Sequence, residues 1–262
     1  IEISCIFFLR IDNSTVYHFL IFFMYIKFIL KILSFFDYFK KKDVINFFKR
    51  NLMGDINNLI DVGAHHGETV KLFNIKFNIN NIYAFEPSYK NFKVLKEKIK
   101  NIKSDNLRIY NYGIGEMEGT FDFNESDESQ SSTLVGINYN SSYYKRKEKL
   151  LKFFKKEKNL FSTTKVNIRT LNNFLIEKKI NYVEILKIDT EGYDFNVIKS
   201  LEKNISCINY IYFEHHFHNM LNKDYTFTQV HNFLVNKGFK KVFKTKMFYR
   251  KTFEYIYKNT KI

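Results

Sequence analysis

Residues 58–73 read NLIDVGAHHGETVKLF, a short apolar run, a turn with two glycines, and the start of an amphipathic helix at about Glu68. Gly63 and Gly67 permit a tight turn and close approach of backbone to a ligand. A triphosphate loop would follow its last glycine with Lys and Ser or Thr, but here Glu68 and Thr69 stand there. A dinucleotide loop would read Gly-x-Gly-x-x-Gly, whereas this spacing is Gly-x-x-x-Gly. Asp61 also stands where a pyrophosphate would lie. An acid in that place suits a ligand with positive charge, and S-adenosylmethionine carries an ammonium and a sulfonium.

The next strand candidate, NIYAFE (81–86), ends in Glu86, followed by Pro87, the only proline among 262 residues. Proline drives the residue before it to extended geometry, and it suits the first turn of a helix, where its missing N–H costs nothing. Glu86 is thereby fixed at a strand tip about 20 residues beyond the glycine loop, where an acid can accept both ribose hydroxyls.

Working outward, the apolar runs NLIDVG, NIYAFE, LRIYNYG, VEILKID and INYIYFE alternate with the helical patterns GETVKLFNIKF, PSYKNFKVLKEKIK, YDFNVIKSLEKN and FTQVHNFLVNKG. FKKVFKTKMFYR and KTFEYIYKN follow as a closing antiparallel pair. Strands alternating with helices predict an α/β fold with a parallel sheet covered on both faces. In such a sheet ligands bind beyond the carboxyl ends of the strands, at a switch point in strand order.

Composition sets outer bounds. The formal net charge of +15 raises nucleic acid or a membrane surface as partners. Lys, Asn, Ile, Phe and Tyr crowd the whole chain, however, and the lysines punctuate helical stretches as a solvated face. No nucleic-acid partner is expected. Cys5 and Cys207 are far apart and lack His or Cys at ligand spacing, which argues against a disulfide scaffold or zinc and for a cytoplasmic protein. Residues 16–36 carry only Lys27 and Lys31 as charges, but both lysines interrupt the apolar run. Residues 1–23 read as an upstream extension that need not be native. Residues 24–57 read as amphipathic helices that pack on the domain and offer a peripheral membrane contact, and 58–262 as the domain itself.

The segments LIDVGAHHGETVKLF, IYAFEPSYKNF, NYGIGEMEGTFDF, SSTL, VNIRTLNNF and ILKIDTEGYDFNVIKSL, in this order, resemble the FkbM family of S-adenosylmethionine-dependent methyltransferases. The resemblance runs from about residue 58 to beyond residue 214, and "FEP" with "KID-x-EG" carries most of it. It implies a class I Rossmann-like methyltransferase domain: a mostly parallel seven-stranded sheet, helices on both faces and a C-terminal antiparallel hairpin. It also implies O-methylation of hydroxyls on sugars or secondary metabolites, so the expected partner is a small-molecule or glycan acceptor. Asp61, Gly63 and Gly67 match the family's cofactor loop, with Ala64, His65 and Thr69 beside them. Glu86, followed by Pro87, matches its ribose-binding acid, and Gly113 and Gly115 match the turn passing the adenine. The doublet His65-His66 is expected to touch the ligand through its backbone. Asn172 and Asn173 stand where the family often has an acid. They are read as a helix-start pair, because Asn favours the cap.

Chemistry is expected at KIDTEGYD and FEHHFHNM. Methyl transfer requires alignment of the acceptor oxygen and removal of its proton. Asp189 and Glu191 lie at the tip of the fourth strand, with Gly192 allowing a sharp turn. Glu214, His215, His216 and His218 follow the fifth strand. Asp189 is expected to orient the methyl group and acceptor, while Glu191 or His215 takes the proton. Neither segment has a recognised metal-ligand spacing, so no metal is assigned. Two other classes stay open: a nucleotide-sugar or dinucleotide-dependent enzyme, and a non-enzymatic basic protein binding membranes or nucleic acid. Residues 124–164 and the loop after 214 are expected to shape the acceptor pocket.

Overall fold

The computed structural model describes residues 41–100, 102, 106–126, 131–154, 160–247 and 250–262. The expectations for residues 1–40 lie outside the described residues. The chain divides into a unit over Ile1–Val44 and one over Ile45–Ile262, and apart from residues 41–44 everything below lies in the second. Among the described residues, no helix is long and apolar enough to cross a membrane.

The order of elements begins with a helix over 41–51 (α1), β1 (Ile56–Val62), α2 (Glu68–Lys76), β2 (Ile79–Phe85), α3 (Tyr89–Ile99) and β3 (Leu107–Tyr110). An excursion follows: β4 (Gly113–Ile114), β5 (Gly119–Ser126), β6 (Gly136–Ile137), α4 (Ser142–Phe154), β7 (Phe161–Arg169) and α5 (Leu171–Glu177). The chain then returns through β8 (Val183–Ile188), α6 (Asp194–Lys199), a 3-10 turn (Glu202–Cys207), β9 (Ile208–His216) and β10 (Leu221–Asn222). It finishes with α7 (Phe227–Asn236), β11 (Phe239–Lys246) and β12 (Thr252–Asn259).

Seven strands form the main sheet in the order β11-β12-β9-β8-β1-β2-β3. Strands β3, β2, β1, β8 and β9 run parallel, and β12 runs antiparallel to both β9 and β11. This is the mostly parallel sheet with a closing antiparallel pair that the sequence predicts. Strand order reverses between β1 and β8, so the switch point lies at the tips of these two neighbours.

Alternation along the strands sorts the side chains. Ile60, Val62, Tyr83, Phe85, Leu186, Ile188, Ile211 and Phe213 join Leu171, Phe174, Val197, Val230 and Leu234 from α5, α6 and α7 in one core. On the other face Phe48 of α1 sits edge-on against Phe73 of α2 and against Tyr210 and Tyr212 of β9. Phe48 has no exposed surface. Truncating such a ring to Ala costs about 3–5 kcal/mol.

The excursion forms its own three-stranded sheet, β4-β7-β5, and β6 pairs antiparallel with β10. Helix α5 starts differently from expectation. Thr170 is its cap, accepting the Asn173 N–H at 3.2 Å. Asn172 is buried inside the first turn, where its side-chain oxygen accepts from Asn204 at 2.8 Å.

Candidate active site

Asp61 is registered opposite Lys187 across β1 and β8, so both side chains leave the same face of the sheet. Lys187 Nζ lies 3.2 Å from Asp61 Oδ1 and 3.3 Å from Asp189 Oδ2. Burial raises the Asp61 carboxyl, with Lys187 pulling against it. Burial likewise opposes the Lys187 charge, but the carboxylates of Asp61 and Asp189 outweigh it and hold the amine protonated. The positive charge sought for Asp61 in a ligand is therefore supplied by the chain itself. Asp189 is the open end of the trio, its side chain 37% exposed against none for Asp61.

Gly63 takes φ of 80°, and a Cβ there would stand 1.9 Å from the Asp189 carbonyl oxygen. Asp189 N–H donates to Val62 O at 2.9 Å, while Gly63 and Ala64 N–H both donate to Phe85 O. The tips of β2, β1 and β8 are thus bound together at the loop. Gly67, with φ of 83°, would press a Cβ to 2.8 Å from Leu95 of α3. Both glycines answer to contact between chain segments, not only to the approach of a ligand. Gly113 is similar, for its Cβ would meet Ile168 at 2.6 Å and Pro87 at 3.4 Å.

Glu86 is buried where β2 ends. Its carboxylate accepts the His65 N–H at 2.9 Å and the Ser88 N–H at 3.0 Å. Burial pushes this carboxyl up to about 7, although the two N–H donors favour its ionised form. Thr69 lies half-buried in the first turn of α2. His65 and His66 stack with ring centres 3.7 Å apart. Glu68 contacts His65 Nδ1 at 3.3 Å, accepts the His66 N–H at 3.2 Å, and lies 3.6 Å from Lys98. The ligand atoms of His65, His66 and Glu68 lie within 4.8 Å of one another, a spacing a metal ion could use.

The stretch TEGYD after β8 forms a turn around Asp194. Its carboxylate accepts the Thr190 N–H at 3.1 Å, the Thr190 hydroxyl at 3.2 Å and the Gly192 N–H at 3.2 Å. Asp194 was not singled out in the sequence, although an acid closing T-E-G-Y-D can cap such a turn. Glu191 takes φ of 51° and its carbonyl accepts the Thr133 hydroxyl at 2.7 Å. That bond gives the SSTL segment a role in shaping the turn.

Strand alternation separates the two histidines of FEHHFHNM. His216 lies on the face of Glu191 and Glu214, with Nε2 at 3.4 and 3.5 Å from their carboxylates and Nδ1 at 3.1 Å from the Thr252 hydroxyl. His215 points to the other face, among Phe217, Tyr225 and Phe227, with Nε2 3.4 Å from Lys223 Nζ. Burial and Lys223 push His215 down to about 3. The imidazole brought to the acids is His216, and His215 stays neutral and apart from them.

Burial, reinforced by Asp189, pushes the Glu191 carboxyl up to about 8. Burial and the neighbouring carboxylates raise Glu214, while burial and nearby cations lower His216. The cluster therefore favours a neutral acid beside a neutral imidazole. Its carboxyls, Glu191 and Glu214, hold their protons to higher pH than ordinary carboxyls near the switch point.

The Methyltransferase FkbM domain matches residues 61–241. No curated protein matches in sequence. Among solved structures, the methyltransferase FkbM from Methylobacillus flagellatus KT is similar with a TM-score of 0.52 and 12% identity, over 79% of this chain and 44% of that one. TrmK from M. capricolum, in complex with S-adenosyl-homocysteine, aligns with a TM-score of 0.46 and 7% identity, over 80% of this chain and 65% of that one. Streptococcus pneumoniae Sp1610, a putative tRNA (m1A22) methyltransferase in complex with S-adenosyl-L-methionine, gives 0.46 and 9%, over 84% and 72%. At 12% identity the likeness to the Methylobacillus flagellatus protein is one of fold alone. The domain match covers more than half of the chain, from the β1 acid through the switch point to β11, and by it the protein belongs to the FkbM methyltransferase family.

Proposed function

We propose that the protein transfers the methyl group of S-adenosylmethionine to a hydroxyl oxygen of a saccharide or secondary metabolite in the cytoplasm. The observation that carries this reading is the meeting of two features at one switch point. The Glu86 carboxylate is steadied by the His65 and Ser88 N–H groups. Beside it the Asp189–Glu191 turn is tied to β1 by the Asp189 N–H bond to Val62.

Bound S-adenosylmethionine supplies an electrophilic methyl on a sulfonium. Glu86 would accept the ribose hydroxyls with the lone pairs its two N–H donors leave. Asp189, fixed by Lys187, would align the acceptor with the methyl group. Glu191 in its ionised form would take the proton of the acceptor hydroxyl, and His216 would hold the Glu191 carboxyl in place. Alignment of the two reactants is the largest contribution asked of this site.

Calorimetry with S-adenosylmethionine and S-adenosylhomocysteine, against NAD and ATP, tests the assignment. Preference for either nucleotide would instead support a nucleotide-dependent enzyme. Cell extracts incubated with methyl-labelled cofactor, followed by mass spectrometry, then identify the acceptor and the methylated atom.

A further inference from the structure

Glu191 is held in a conformation that its side chain resists. Its φ of 51° lies in the left-handed region, where a residue with a Cβ is uncommon. Gly192 continues the turn at φ of 93° without that penalty. A glycine at 191 would enter this turn more easily, so something other than the turn asks for a carboxyl there. Backbone outliers that the surrounding structure must maintain gather at functional sites.

Two sets of bonds maintain this one. From within the turn, the Asp194 carboxylate gathers the Thr190 N–H, the Thr190 hydroxyl and the Gly192 N–H, and the Tyr225 hydroxyl donates to Gly192 O at 3.0 Å. These bonds fix the residues on either side of Glu191. From outside the turn, Thr133 Oγ1 donates to the Glu191 carbonyl at 2.7 Å and lies 3.5 Å from the Thr190 carbonyl. Thr133 is itself fixed, for it is buried and exchanges two backbone bonds with Asn124 of β5, each 2.9 Å long. The Val135 N–H donates to the Thr133 hydroxyl oxygen at 3.2 Å, which leaves the hydroxyl proton for Glu191. A β-branched side chain is also stiff about χ1. From a backbone pinned in this way the Glu191 carboxylate reaches His216 Nε2 at 3.4 Å.

We infer that Thr133 is a positioning residue for methyl transfer, its hydroxyl holding the Glu191 backbone so that the carboxyl stays buried beside His216. This rests on the reading of Glu191 as the group that takes the acceptor proton. Thr133 belongs to the excursion between β5 and β6, so a segment outside the main sheet sets the geometry at its switch point.

The test uses the full chain with Thr133→Val, which keeps size and branching but removes the hydroxyl, and Thr133→Ser, which keeps the hydroxyl. Glu191 is followed by NMR titration of carboxyl-labelled glutamate, with Glu191→Gln assigning its signal. The groups that act on it, His216, Asp189, Asp194, Lys147 and Arg250, are the same in both variants. In Thr133→Val the midpoint should fall below that of the wild type by at least about one pH unit, because a released carboxyl moves towards water. In Thr133→Ser it should stay, and the Glu86 signal should stay in both, which a general loosening of the fold would not allow. Transfer of label from saturating methyl-labelled S-adenosylmethionine into cell extract should slow at least about tenfold in Thr133→Val, since misplacing a reacting group by an ångström costs up to about 10²-fold. Thr133→Ser should restore it, with affinity for S-adenosylhomocysteine unchanged throughout. An unchanged midpoint or rate in Thr133→Val, or no recovery in Thr133→Ser, would overturn the inference. If Thr133→Val does not fold, Glu191→Gly/Thr133→Val decides, because glycine takes the positive φ unaided. That double variant should fold, and its failure would show that Thr133 serves the fold and not Glu191. A wild-type protein that binds no S-adenosylhomocysteine would overturn the methyl-transfer reading, while the titration would still decide whether Thr133 holds Glu191.

Discussion

Lys187 Nζ stands 3.2 Å from Asp61 Oδ1, a buried ion pair that joins neighbouring strands at the point where strand order reverses. Asp189 completes it on the open side at 3.3 Å. The pair therefore acts as an internal support for the Asp189 carboxylate at the switch point.

Removing Lys187 leaves the Asp61 carboxyl buried and without its cation, to be carried as an unpaired charge or protonated at a cost. Lys187→Met should destabilise the protein by about 3–5 kcal/mol. The double change Asp61→Asn/Lys187→Met should recover part of that loss, because the orphaned charge is gone. Urea unfolding of the wild type and the two variants measures both differences. Equal stability of wild type and Lys187→Met would show that the pair supports nothing.

Gly63→Ala should be among the costliest single changes in the chain. It adds a methyl group 1.9 Å from backbone oxygen at a residue with φ of 80°. Strain and displaced strand tips together should cost at least about 2–3 kcal/mol. Gly136→Ala is the comparison, since its nearest neighbour would be the Asn222 side-chain amide at 3.3 Å. That variant should unfold close to the wild-type midpoint.

Affinity for S-adenosylmethionine should rise with pH through about 7. Glu86 titrates there because it is buried, and its ionised form is the better acceptor for ribose hydroxyls. Glu86→Gln should bind more weakly by about 1.5–3 kcal/mol above that pH. It should also show a flat pH dependence in the same calorimetric titration.

Folding stability should move the other way. Glu86, Asp194 and Glu191 are raised to about 7, 7 and 8, so the folded chain holds more protons than the unfolded chain from the ordinary carboxyl range up to pH 8. Below about pH 6.5 the depressed histidines His215, His216 and His218 oppose this effect, so stability must fall as pH rises from there to pH 8. Midpoints of thermal unfolding at several pH values between about 6.5 and 8 give the slope, and a rising series there would contradict these assignments.

Turnover should depend on Glu191 and not on an imidazole. With its carboxyl near 8, Glu191 gains its base form as pH rises, and Glu191→Gln should lose that limb of the rate profile. The loss in rate should be about 10²- to 10⁴-fold. His215, held near 3, contributes no ionisation at pH 6–7, so His215→Ala should leave the shape of the profile unchanged.

Much of this arrangement is written locally. The tips of β1, β2 and β8 follow apolar runs that stop at Asp61, Glu86 and Asp189, and Pro87 marks one of them unmistakably. Other parts depend on contacts far apart in the chain. Asp61 shows an acid in need of a positive charge, but no spacing rule points to Lys187 on a later strand. His215 and His216 differ only by strand phase, and FEHHFHNM gives no apolar alternation from which to read that phase. The sheet β4-β7-β5 escaped for a similar reason. FSTTKVNIR has three buried or half-buried apolar positions among polar ones, and β6 and β10 are two residues each.

Strand β12 lies between β9 and β11 although it is synthesised after both. Until it arrives, the sheet has a slot one strand wide, walled by finished edges that cannot pair with each other. Its arrival supplies Thr252 to His216 and Glu254 to Tyr212, so the chemistry of the β9 tip matures together with the sheet. A ribosome-bound chain lacking these last eight strand residues would present two open edges to its surroundings. The decisive step in folding is thus the insertion of β12, and both edges of the slot stay open to other strands until it occurs.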